Sequence, residues 1–137
     1  GPVLFQLPGR WGADPERLEA FLSALPKGLR AAFEFRDPSW FVPPVYEALE
    51  RHGAGFCLYE LEGRLAPGVV TSDLVYIRLH GPGAAYEGSY SERSLRGWAD
   101  KITRWSLDGK DVFCYFDNDQ RGYAAQNALR LKAVLHR

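Results

Sequence analysis

Arginine and histidine share one strand face in the stretch Val75–Gly83, VYIRLHGPG. Alternation puts Tyr76, Arg78 and His80 on one side and Val75, Ile77 and Leu79 on the other, and Gly81-Pro82-Gly83 then ends the strand. Such side chains are seldom buried without partners, so the pattern points to a site near His80. A histidine there suits general acid or base chemistry near neutrality when a carboxylate sets its tautomer; the plainer alternative is a hydrogen-bonded histidine with no chemistry. Ala31–Arg36, AAFEFR, repeats the pattern with Phe33 and Phe35 opposite Glu34 and Arg36. Glu34 suits a base or metal ligand and Arg36 an anion clamp, unless they neutralise each other or Arg78 as a structural ion pair. Arg78 either binds a phosphate or carboxylate or pairs with Glu34.

Asp117, Asn118 and Asp119 suit a metal or a sugar hydroxyl, or else a turn capping the last helix. Trp40, Tyr86 and Tyr90 follow strands as exposed aromatics that would stack on a sugar or base, or pack as lids. Gln6 is a polar wall residue. His52 and His136 fall at a helix end and in the tail, where solvation is expected, and no HxH or HExxH spacing occurs. A divalent metal therefore has no support from ligand spacing, and the cofactor is unknown. Gly81-Pro82-Gly83 suits phosphate, but Asp117 and Asp119 would repel an anion, and no GxGxxG or GxxxxGK[ST] is present.

Strands are expected near 3–8, 31–36, 55–60, 74–80 and 111–117. Asp14 with Pro15 predicts the start of a helix through Leu18, Phe21, Leu22 and Leu25. Val45–Arg51 is helical up to Gly53. Ser91 caps a helix through Leu95, Trp98, Ile102 and Trp105, with Glu92 in its first turn. The last helix, Ala124–Leu135, carries Leu129, Leu131 and Leu135. Glu62–Ser72 reads as an irregular crossover. Alternating strands and helices predict α/β architecture with a parallel sheet, in which ligands bind at the carboxyl ends of the strands.

The 137 residues suit a single domain, and 46% hydrophobic with 25% charged residues are ordinary globular values. Seventeen basic residues balance seventeen acidic ones, against a dedicated polyanion binder. No apolar run is long enough for a membrane span. Cys57 and Cys114 stand singly, so a reducing cytoplasm is expected. Methionine is absent, which predicts a processed chain or a piece of a longer one.

GPVLFQLP, AFEFRDPSW, VYIRLHGPG, the tyrosines near 86 and 90, and YFDND followed by NAL resemble the YecE-like family, domain of unknown function 72, along all 137 residues. FEFR-x-x-SW together with RLHG carries the specificity. The resemblance implies a TIM (β/α)8 barrel of which this chain is the last five βα units, the N-terminal strand units being absent. About 27 residues per unit would give roughly 220 for eight. The activity of that family is not established; the polar strand ends are read here as those of an enzyme acting on a small polar substrate, a sugar, sugar phosphate or nucleoside-like compound. His80 and Glu34 would transfer protons, Arg36 and Arg78 bind charge, and Asn118, Tyr86, Trp40 and Gln6 complete the pocket. The alternatives are a nucleic-acid-binding protein using the same mouth, with Arg93 and Arg96 added, and a non-catalytic scaffold. Self-association is expected if the chain is only this long, because unpaired sheet edges invite it.

Overall fold

The computed structural model describes residues 1–83, 88–118 and 120–136. They form two compact units, Gly1–Leu58 with Pro67–Tyr76, and Tyr59–Ala66 with Ile77–Arg137.

The first unit is built on three parallel strands in the order β1-β2-β3: β1 Val3–Gln6, β2 Ala31–Glu34 and β3 Gly55–Phe56. Helix α1, Pro15–Ala24, connects the first two; Asp14 caps it by accepting from the Arg17 N–H at 3.1 Å, and Pro15 takes the first position. A 3-10 turn at Pro38–Trp40, capped by Asp37, leads into helix α2, Pro43–Arg51. Gly53 stops α2 with φ 64°. Leu18, Leu22, Val45 and Leu49 turn inward from the two helices. Phe33, Phe35 and Phe56 are buried, and Phe35 stacks on Trp40 at 4.6 Å. Gly55 packs closely where it stands, since a Cβ there would lie 3.1 Å from the Leu74 carbonyl oxygen.

The segment read as one strand over 55–60 breaks at Cys57, and β4, Leu58–Leu61, belongs to a different sheet. The expected irregular crossover also contains structure. Arg64–Leu65 forms β5, antiparallel to β4, across a two-residue turn with Glu62 and Gly63 at φ 53° and 74°. Two left-handed central residues are what a tight hairpin turn demands. A two-residue strand is too short to show a period, which is why the sequence pattern missed it.

The second unit carries most of a four-stranded sheet in the order β5-β4-β6-β7, with β6 Leu74–Leu79 and β7 Asp111–Phe116. Helix α3, Glu92–Leu107, is capped by Ser91, which accepts from the Ser94 N–H at 3.1 Å, and it buries Leu95, Trp98, Ala99 and Ile102. Helix α4, Tyr123–Leu135, buries Asn127 and Leu131, whereas Leu129 is 69% exposed. The core face of α4 runs through 127 and 131, four residues apart and about one turn along. Among the described residues, no helix is long and apolar enough to cross a membrane.

His52 is not simply solvated as expected. Its Nε2 lies 2.8 Å from a Glu19 carboxylate oxygen, and Arg51 donates to the other at 3.1 Å. The His52 hydrogen bond, aided by Arg51, holds the Glu19 carboxyl below its ordinary range.

Candidate functional site

Each unit places its own set of strand-end side chains. In the first, Glu34 is fully buried at the end of β2. Arg36 donates from Nε at 2.6 Å and approaches with Nη2 at 2.5 Å, both to Glu34 Oε2. The Cys57 thiol donates to Oε1 at 3.5 Å. The ion-pair reading of Glu34 and Arg36 is thus the arrangement present. Gln6 is the register partner of Glu34.

Trp40 is buried rather than exposed. Its ring lies against Phe35, and its indole N–H donates to the Trp11 carbonyl at 2.8 Å. A neighbouring ring and a backbone acceptor, neither visible in a loop sequence, hold it inside. Gln6, Trp11, Arg17, Phe21 and Trp40 help to line a mainly apolar cavity of about 530 Å³. Of the predicted site residues the cavity brings Gln6 and Trp40 together; Glu34 and Arg36 do not line it.

In the second unit the hub is Asp117, just beyond β7. Arg78 donates to its Oδ2 from Nε at 3.0 Å and lies within 2.9 Å through Nη2. His80 Nδ1 lies 3.7 Å from the same oxygen, and the imidazole is fully buried. The edge of Tyr59 faces that ring at 6.4 Å between centroids. The backbone sets this geometry, because the His80 N–H donates to the Glu60 carbonyl and the Asp117 N–H to the Leu79 carbonyl, each at 2.8 Å. A buried imidazole beside a carboxylate that an arginine holds in place is equipped to move a proton.

Asn118 is buried too, but its amide faces helix α4: Nδ2 donates to the Gly88 carbonyl at 2.9 Å and to Asn127 Oδ1 at 2.7 Å. It does not join the Asp117 group. Tyr90, read either as an exposed stacking residue or as a packed lid, is 1% exposed. Its hydroxyl accepts the Gly81 N–H at 3.0 Å, and burial pushes its pKa up. Tyr86 and Asp119 lie outside the described residues. Among those residues, no group of three or more His, Cys, Asp or Glu is placed to hold a metal ion.

Glu60 and the bridging part of Asp117 went unread in the sequence, and Asn127 entered only as the first residue of NAL, with no role given to it. Glu60 closes the strand end that looks least polar. Burial raises the Glu60 carboxyl above its ordinary pKa, against the hydrogen bond from Tyr90 and the charge of Lys101. The folded state favours the protonated form more than the unfolded chain does, so ionisation opposes folding as pH rises through the folded pKa. Glu60→Gln, which cannot ionise, should raise the melting midpoint at pH 7. Below the unfolded pKa of about 4.3 the gain should vanish. Thermal melts of both proteins at pH 4 and pH 7 check this; equal midpoints at pH 7 would refute it.

Fold and strand ends together define a mixed α/β protein with parallel strands and a polar group at their carboxyl ends. The chain belongs to the family described as protein of unknown function DUF72, which matches residues 1–137, in agreement with the motif resemblance. It is 27% identical over 161 residues to UPF0759 protein YunF of Bacillus subtilis, spanning 97% of this chain and 57% of that protein. The crystal structure of a DUF72 family protein from Thermotoga maritima superimposes with a TM-score of 0.87 at 30% identity, over 98% of this chain and 57% of that one. One from Enterococcus faecalis gives a TM-score of 0.84 at 25% identity, over 99% and 61%. The chain therefore spans less than two thirds of the length of these relatives.

Proposed function

We propose that this chain supplies the last five βα units of a TIM barrel and an acid/base site for a small polar substrate, with His80 transferring the proton and Asp117 orienting it. The observation that carries the reading is the buried His80 imidazole 3.7 Å from a carboxylate gripped by Arg78. Pairing Arg78 with Asp117 leaves that cluster close to neutral when His80 is neutral. Such a cluster favours a hydroxyl-rich neutral or singly charged ligand, a sugar or nucleoside, over a polyanion. Arg36 likewise lies on Glu34, which weakens the case for phosphate-tracking arginines on a nucleic acid. In this reading Glu34 anchors Arg36 and has no part in proton transfer. The two free cysteines fit a cytoplasmic protein.

Thermal-shift titrations with D-ribose, D-ribose 5-phosphate and adenosine test the proposal. At saturation at least one should raise the wild-type midpoint and leave His80→Ala unmoved, since binding to the folded state alone at a hundred times Kd contributes about 2.7 kcal/mol. Circular dichroism checks that His80→Ala is folded. No shift with any of the three, or equal shifts in both proteins, would overturn the reading.

A further inference from the structure

We propose that Asn127, acting through Tyr90, is a positioning residue for His80. The proposal deepens the reading of His80 as the working imidazole and rests on it. Asn127 is fully buried on α4. Its Oδ1 accepts the Tyr90 N–H at 3.0 Å and the Asn118 Nδ2–H at 2.7 Å, and its own Nδ2 donates to Ser89 Oγ at 3.0 Å. A backbone N–H can only donate, so the Tyr90 bond fixes which way the Asn127 amide faces. That orientation in turn fixes Asn118, whose Nδ2 also donates to the Gly88 carbonyl. Arg130 Nη1 adds a bond to the Tyr90 carbonyl at 3.1 Å. Gly88, Ser89 and Tyr90 are thereby fastened to the end of β7 and to α4.

Tyr90 carries the constraint across to β6. Its ring meets Phe116 edge-on at 5.7 Å, and its hydroxyl accepts the N–H of Gly81, the residue directly after His80. Gly81 has φ 130°, a conformation in which side chains are rare. The backbone is therefore held on both sides of the imidazole. The His80 N–H is bonded to the Glu60 carbonyl, and the Gly81 N–H to the Tyr90 hydroxyl. Removing the acceptor for the Tyr90 N–H frees Tyr90, and a freed Tyr90 releases the peptide that aims the ring. A network that merely seated α4 would need no link to Gly81.

Nuclear magnetic resonance of the full chain labelled with ¹⁵N separates the two, and it requires no ligand. In Tyr90→Phe the Gly81 amide should exchange at least about tenfold faster, the loss of one hydrogen bond in the local opening equilibrium, and the His80 ring signals should move. Asn127→Leu should move the same ring signals. Asn127→Asp should restore them, because its carboxylate still accepts from Tyr90 and Asn118. His80 ring signals that coincide with wild type in Tyr90→Phe, or that are displaced equally in Asn127→Asp and Asn127→Leu, would overturn the proposal. If Asn127→Leu does not fold, Tyr90→Phe decides alone, since it removes a single oxygen. Failure of the three sugar and nucleoside probes to bind would count against the proposed function and leave this measurement intact.

Discussion

Arg36→Leu is expected to lower the stability of the chain by about 3–5 kcal/mol, the usual cost of removing one partner of a buried ion pair. Glu34 is fully buried and the Arg36 side chain is 15% exposed, so the carboxylate left behind cannot turn to water. The Cys57 thiol at 3.5 Å is a weak donor and no substitute for a guanidinium. The net worth of the pair is a separate matter: desolvating both charges costs nearly what their attraction returns. Leucine at both positions 34 and 36 should therefore recover most of the loss. Arg96 and Glu92 on α3, with side chains 57% and 52% exposed, give the contrast, because breaking such an i, i+4 pair costs about 0.3–0.5 kcal/mol. Urea denaturation of the four proteins measures all of this. A single-site loss no larger than that of Arg96→Ala, or a double variant no better than Arg36→Leu, would show that Glu34 is not sustained by Arg36.

What was legible in the sequence is what depends on a few neighbouring residues. Asp14-Pro15 and Ser91 begin helices because capping is decided within one turn. Alternation along β2 and β6 separates Phe33 from Glu34 and Ile77 from Arg78 because the strand period is two. Pairing across the fold was not legible. Arg78 and Asp117 are 39 positions apart, and nothing local marks Asp117 as the carboxylate beside His80. Trp40 and Tyr90 show the same limit from the other side. Each follows a strand in a polar stretch and reads equally as an exposed ring or a packed lid, and it is partners outside the local pattern, the Trp11 carbonyl and the Gly81 N–H, that hold each inside. A buried aromatic with a polar atom needs such a partner, and tertiary structure alone provides one.

The aromatic column under β2 supports the Trp40 wall of the first unit's cavity, and Phe35→Ala tests it. Phe35 is fully buried, stacked on Trp40 at 4.6 Å and 13°, with Phe56 at 6.0 Å and Phe33 at 6.2 Å. Truncation to alanine removes the burial and opens a cavity that a strand and a capped turn cannot close, so about 3–5 kcal/mol should be lost. That is a large part of the roughly 5–15 kcal/mol of a typical domain. Phe21 on α1 meets Phe5 at 5.1 Å and Phe33 at 5.9 Å but is 43% exposed. Water can enter where its ring was, so Phe21→Ala should cost about half as much or less. The Trp40 ring rests on Phe35 and its N–H on Trp11, so the Phe35 cavity should also loosen the wall that Trp40 gives the 530 Å³ cavity. The near-ultraviolet circular dichroism of the stacked indole should weaken in Phe35→Ala and persist in Phe21→Ala. Equal destabilisation of the two variants, or an unchanged aromatic spectrum in Phe35→Ala, would mean that the stack is not what holds Trp40 in place.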